Sequence, residues 1–190
     1  MLQLHAATPS AWAETVLADF PAFLQDHAAC ERKASATALA FVVRYPDRTE
    51  LHDPMIALAR EELEHFHQVV RLMQTRGVPL VADRKDTYVV GMLKHVRGGR
   101  DPRLMDRLLV AGIVEARGCE RFGLIAQAHP EPEMAAFYQE ITKSEARHQG
   151  LFVRLARAFF PEKEVASRLT ELLAHEAAVI EQLPMTPALH

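Results

Sequence analysis

Apolar and small residues recur at helical spacing along nearly the whole chain, and prolines and glycines break the pattern into segments. That pattern predicts an all-α protein. Ser10 to about Phe20 reads as a short leading helix. From Pro21 to about Tyr45, the positions Leu24, Ala28, Glu31, Ala34 or Ser35, Ala38 and Phe41 or Val42 repeat at helical spacing, and Pro46-Asp47 ends the run. A second helix is predicted over about 54–76, with Asp53 as N-cap and Gly77 as the terminal glycine. A third covers about 102–129, a fourth about 132–160 and a fifth about 162–183. Between the second and third lies a long link, Val78 to Asp101, with a short helix near Asp86–Val96. The C-terminal PMTPALH is expected to be loose, and only Tyr88-Val89-Val90 hints at a strand.

The loops set the topology. Short connections make the first and second helices antiparallel, and likewise the third and fourth. The long link has enough residues to cross a bundle end to end. A four-helix bundle with one such crossover between helices 2 and 3 is the ferritin-like topology. The expectation is a single ferritin-like domain over residues 1–190, with flanking N- and C-terminal helices.

Charged residues interrupt the apolar stripes in a repeated way. Glu62 and His65 lie on the stripe of Met55, Leu58, Ala59, Phe66, Val69 and Met73. Glu145 and His148 lie with Met134, Tyr138, Ile141, Phe152 and Leu155, and Glu115 with Leu108, Ala111, Cys119 or Gly118, Phe122 and Ile125. Residues three apart on a helix point the same way, so each Glu-x-x-His pair can hold one metal ion. The motif alone is weak: 17 Glu and 10 His give about one accidental hit, and the chain has three. Helical phase separates them, because the third pair, Glu64/His67, shares a polar stripe with Arg60, Arg71 and Gln74.

The halves match in spacing. Glu31 precedes Glu62 by 31 residues and Glu115 precedes Glu145 by 30. Corresponding residues of the two halves are 83 or 84 apart. One inward Glu is more often an edge residue in an ion pair. Six inward ligands in two matched halves fit the carboxylate-bridged two-metal bundles, with one Glu from each of two helices and Glu-x-x-His from each of the others. Four carboxylates and two imidazoles suit iron or manganese, and the lack of thiolates argues against structural zinc.

Other residues are candidates for supporting roles. A metal-bound imidazole usually donates its other N–H to an acceptor. Glu61 could reach His148, with Ser144 at the matching position, or be exposed. His27, one turn before Glu31, either lines the site or fills space. Tyr138 is a core residue, a hydrogen-bond donor or a redox relay. Cys30 and Cys119 read as small packing residues.

Composition narrows the class. With 49% hydrophobic and 25% charged residues the chain can build a real core, and a net charge of −3 gives no global case for nucleic acid. Two cysteines form no disulfide framework and fit a reducing cytosol. The N-terminus lacks the basic and apolar regions of a signal peptide, and no apolar run could cross a membrane, so a cytoplasmic protein is expected.

The segments DHAACERKASATA, AREELEHFHQV, VEARGCERF and KSEARHQGLF are more specific than a general ferritin-like signature. Together they resemble the tRNA 2-methylthio-N6-isopentenyl-adenosine hydroxylase family, over roughly Phe20 to Phe160. The resemblance implies a diiron monooxygenase that hydroxylates the isopentenyl group of the modified adenosine beside the anticodon. It implies two non-haem iron ions held by Glu31, Glu62, His65, Glu115, Glu145 and His148, with O2 as co-substrate. Electrons would come from an external donor of reductase or ferredoxin type, since no flavin or nicotinamide fingerprint is visible. A tRNA anticodon loop needs a phosphate-binding surface, and Lys94, Arg97, Arg100, Arg103 and Arg107, with His95, around Gly98-Gly99 form the best local patch. The rival is a basic loop neutralised by Asp101 and Asp106. A monomer or small homo-oligomer is expected. The alternative function is a ferritin-like ferroxidase or peroxide-handling protein without a tRNA substrate.

Overall fold

A computed structural model describes residues 2–190, and these are helical nearly throughout, with no strand among them. The helices are α1 (Ala11–Ala18), α2 (Phe20–Arg44), α3 (His52–Thr75), α4 (Thr87–Leu93), α5 (Arg100–Ala128), α6 (Pro132–Phe159) and α7 (Glu162–Gln182). All five long or C-terminal helices expected from the pattern are present, with ends shifted by at most two residues. Tyr88-Val89-Val90 opens α4 and is not a strand.

The helix ends follow local chemistry. Asp19 caps α2 by accepting from the Ala22 N–H at 3.2 Å, and Pro21 sits in the first turn, where no donor is lost. Asp86 caps α4 in the same way, accepting from Val89 N–H at 2.9 Å. Asp53 is not the N-cap expected of it. A 3-10 turn at Thr49–Leu51 leads directly into α3, so Asp53 lies in the first helical turn. There its charge still complements the helix dipole. Gly77, at φ 67°, ends α3 while Val78 N–H donates back to the Met73 carbonyl at 2.9 Å.

The chain forms two compact units. One, here the helix-pair unit, comprises residues 15–84 and 186–189. It packs α2 along α3 through Phe23, Leu24, Ala28, Ala38 and Phe41 on one side and Met55, Leu58, Ala59, Val69 and Met73 on the other. Apart from Phe23 these residues lie on the predicted inward stripes, while Phe66, expected on the α3 stripe, is only half-buried.

The larger unit comprises residues 2–14, 85–185 and 190. Helix α5 is its centre and is buried on nearly all sides, since α6, α4, α7 and the N-terminal segment all pack on it. Gly112 permits the close approach to α6: a Cβ there would lie 3.3 Å from the Gln149 carbonyl oxygen and from Phe152 Cβ.

The tail is ordered, contrary to the expectation. Leu189 is buried and donates its N–H to Asp26 at 2.7 Å within the helix-pair unit. His190, in the larger unit, stacks on Tyr88 and pairs with Asp86 at 3.3 Å. Two specific anchors explain why a segment of turn-forming composition is fixed. Among the described residues no helix is long and apolar enough to cross a membrane.

Candidate metal centre

Each unit carries one half of the predicted ligand set. In the helix-pair unit, α2 supplies Glu31 and α3 supplies Glu62 and His65, and all three are buried. Ligand atoms of the three lie within 4.8 Å of one another. His65 Nδ1 is 3.2 Å from Glu62 Oε2 and 3.7 Å from Glu31 Oε2. In the larger unit, α5 supplies half-buried Glu115 and α6 supplies buried Glu145 and His148. They too present ligand atoms within 4.8 Å of one another, with His148 Nδ1 3.1 Å from Glu145 Oε2.

The repeat extends to the bonds that hold the helices together. Ser35, one turn after Glu31, donates its hydroxyl to the Ala59 carbonyl at 2.7 Å. Cys119, one turn after Glu115, donates its thiol to the Thr142 carbonyl at 3.4 Å. Ala59 and Thr142 each lie one turn before the Glu of a Glu-x-x-His pair. A hydroxyl and a thiol thus perform the same cross-helix task in the two halves.

The electrostatics favour a cation. Buried carboxylates without compensation are costly. In the helix-pair unit the compensation comes from a proton: burial alone would lower the His65 pKa, but hydrogen bonds to Glu31 and Glu62 outweigh it and push the value from 6.5 up to about 10. The imidazolium therefore stands among the carboxylates where a divalent ion would bind. Oxygen-rich donors with one imidazole per half fit a hard or borderline ion such as iron or manganese. In the other half, burial and the charges of Glu145 and Glu120 push the Cys119 thiol up to about 11. It stays protonated at neutral pH and keeps its donor role.

Comparison with known proteins places the chain. The family described as tRNA-(MS2IO6A)-hydroxylase (MiaE) matches over residues 2–190. A Pseudomonas putida protein named tRNA 2-(methylsulfanyl)-N(6)-isopentenyladenosine(37) hydroxylase is 40% identical over 178 residues, covering 94% of this chain and 86% of the relative. A Salmonella typhimurium protein of the same name is 31% identical over 226 residues, covering 93% and 83%. The chain belongs to the tRNA-(MS2IO6A)-hydroxylase family. Among solved structures, a Synechococcus protein described as having aldehyde deformylating oxygenase activity superposes with TM-score 0.93 at 36% identity, covering 98% of this chain and 93% of its own. The fold class is all-α and ferritin-like.

Within this hydroxylase chain the supporting candidates separate. His27 is completely buried, and its Nε2 is 2.7 Å from Glu31 Oε1, so it is a partner of a candidate ligand and not a filler. Tyr138 is a core residue, stacked on Phe122 and edge-on to Phe137. Glu61 is half-buried, and buried Ser144 accepts from Arg147 at 3.1 Å. The rejected pair Glu64/His67 is exposed, as the phase argument required, and lines an open groove of about 890 Å3 with Leu63, Phe66, Val70 and Leu80.

The basic turn is only partly as expected. Lys94, Arg100 and Arg103 are exposed and Arg107 is half-buried. Arg97 departs from the expected outward role. Its guanidinium bonds both oxygens of Asp106, at 2.7 and 3.0 Å, and Arg168 of α7 binds the same buried carboxylate at 2.9 Å. His95 adds no charge either: burial, then His175 and Arg168, hold its pKa below 6.5, and its ring stacks on His175. Asp106 and Arg168 therefore turn part of the expected phosphate site into a structural clasp between the link, α5 and α7.

A buried ion network was not anticipated from the pattern. Arg117 and Glu176 are fully buried and paired at 2.8 Å. Tyr88 donates to Glu176 at 3.1 Å, and Arg117 also reaches Glu120, Thr8 and the Ala6 carbonyl. The available signal was a pair of arginines, Arg117 and Arg121, one turn apart on α5. Nothing local names a partner 59 residues away.

Proposed function

We propose that the two units act as one diiron domain, in which Glu31, Glu62 and His65 of one half and Glu115, Glu145 and His148 of the other hold two iron ions. The observation that carries this reading is the repeat itself: each unit sets a Glu beside a buried Glu-x-x-His pair on partnered helices, at a sequence offset of 83 or 84. Four carboxylates balance two divalent charges. Bound iron would supply the reduction of O2 to the level that C–H oxidation requires.

The protein is a tRNA hydroxylase, and its substrate is the modified adenosine of tRNA. The reaction reads R–H plus O2, two electrons and two protons, giving R–OH and water. The new oxygen enters the isopentenyl group. Its allylic C–H bond is broken, and the other oxygen leaves as water. The electrons come from an external donor of reductase or ferredoxin type. The apolar residues around the ligands exclude bulk water, so oxidising power is not lost to solvent. The adenosine has to be splayed from the anticodon loop to bring its side chain within reach of a buried centre. We place the enzyme in the cytoplasm, as a monomer or small homo-oligomer, and assign phosphate contacts to Lys94, Arg100 and Arg103, with Arg107 beside them.

The test is nucleoside analysis of tRNA bearing the prenylated adenosine after incubation with iron-reconstituted protein, O2 and a chemical reductant. A hydroxylated nucleoside that needs all three is the expected product. Unchanged nucleoside with a protein that stores many irons per chain would instead identify a ferroxidase.

A further inference from the structure

We infer that His95, in the turn after α4, is a stacking platform that holds an unpaired base of the tRNA anticodon loop beside the basic residues of that turn; this rests on the reading that RNA docks there. The His95 ring lies on the ring of His175 from α7, with centroids 3.3 Å apart and planes 24° from parallel. His175 is itself fixed. Its Nε2 lies 3.1 Å from the Gly91 carbonyl oxygen, which can only accept, so that nitrogen carries the proton. The backbone under His95 is held twice: its N–H donates to the Met92 carbonyl at 3.3 Å, and its carbonyl accepts from Arg168 at 2.6 Å. One face of the ring is therefore covered and its base is anchored, yet the residue is exposed. What it exposes is the face turned away from His175.

Packing does not account for this placement. The buried join between α4 and α7 is made by Tyr88, which is fully covered and donates to Glu176 at 3.1 Å. His95 lies outside that join, where an exposed ring gains little from burial. Nor does the ring serve as a cation. Partial desolvation, then His175 and Arg168, keep its pKa below the ordinary value, so it is neutral near pH 7.

A held, neutral aromatic face beside positive charge matches an unpaired nucleotide, whose base stacks while its phosphate pairs. Lys94 precedes His95, and Arg100 and Arg103 follow at the start of α5, all three exposed. Unpaired RNA loops are recognised by stacking their bases on aromatic side chains, histidine included. Every base has a π-face, so the platform adds affinity and register without selecting which base it holds. The modified adenosine must leave the stack of its loop to reach a buried centre, and a neighbouring base held on His95 keeps the loop open.

The test is fluorescence titration of a labelled anticodon stem-loop RNA with the full chain at a series of salt concentrations. His95→Ala should bind about tenfold more weakly, the loss of one base–aromatic stack, with the salt slope of wild type. His95→Phe, which keeps a ring over His175, should restore the affinity. A set of RNAs, each with one abasic loop position, then locates the base: wild type should lose about tenfold at one position, and His95→Ala should be indifferent to it. Circular dichroism checks folding, and His95→Gln, polar but without a ring, keeps the test open if the alanine variant melts early. Wild-type affinity in His95→Ala and His95→Gln, a loss that phenylalanine does not repair, or a flattened salt slope overturns the platform. If instead Lys94→Ala, Arg100→Ala, Arg103→Ala binds as wild type does, the docking face itself is wrong, and the platform falls with it.

Discussion

At the scale of single residues, His65 would link the proposed metal to the proton. Its folded pKa of about 10 lies above the unfolded value near 6.5. A raised pKa contributes stability that is complete below the unfolded value and is lost as pH rises through the folded one. The metal-free protein should therefore lose stability between roughly pH 7 and 10, and His65→Gln should flatten that loss. Denaturant midpoints of both proteins across this range check it; parallel curves would remove His65 as the source. Under the proposed ligand assignment iron would have to displace the same proton, because only the neutral imidazole is a ligand. Loading the metal-free protein near neutral pH should release acid, measurable in a pH-stat. The ligand assignment itself predicts that Glu115→Ala or His148→Ala lowers bound iron from two per chain to one or none and abolishes hydroxylation. Full iron content and activity in both variants would refute it. All six candidate ligands were legible because each is a polar or charged residue on an apolar stripe, a cost that sequence alone exposes. The bond from His27 to Glu31 was not, since a histidine one turn from a carboxylate is equally consistent with packing.

At the scale of elements, helix identity and phase were readable and helix ends nearly so. Proline, glycine and cap residues act over one turn, which is why the end of α3 at Gly77 could be read in advance. Asp53 misled because the 3-10 turn before α3 supplies the entry that a cap would otherwise provide. Neutralisation of the basic loop by Asp106 was one of the two readings the sequence offered, but the Arg168 side of the clasp could not be read, because Arg168 is 62 positions away. Its chemistry nonetheless makes a firm prediction. Asp106 is fully buried, and burial, which opposes its charge, is outweighed by Arg97 and Arg168, which hold its pKa below the usual range. Asp106→Asn keeps the shape but leaves two guanidinium groups facing a neutral amide. Removing one partner of a buried pair costs roughly 3 kcal/mol or more; here Arg97 is partly exposed, so about 2–3 kcal/mol is expected. Chemical denaturation measures it. A change below about 0.5 kcal/mol, the range of an ordinary surface substitution, would show the clasp to be ornamental.

At the scale of the whole molecule, an acidic protein has to bind a polyanion. With a net charge of −3 the global field repels tRNA, so attraction must be local. The turn between α4 and α5 concentrates exposed Lys94, Arg100 and Arg103, while Arg97 is neutralised by Asp106. These residues differ in what their removal should do. Each lost phosphate contact reduces the dependence of log affinity on log salt by about 0.7 for single-stranded nucleic acid. The triple variant Lys94→Ala, Arg100→Ala, Arg103→Ala should flatten the slope by about 2. It should also bind much more weakly than wild type at low salt, and the two should converge as salt rises. Iron content should be unchanged, because none of the three residues is a candidate ligand. Arg97→Ala should lower the denaturation midpoint and leave the salt slope nearly intact, since its charge already belongs to Asp106. Fluorescence titration of labelled tRNA at a series of salt concentrations separates the two cases. If Arg97→Ala flattened the slope as much as the triple variant, its guanidinium would be leaving Asp106 for phosphate, and the clasp would be part of how the enzyme grips RNA. If the triple variant left the slope unchanged, the RNA would have to enter by another face.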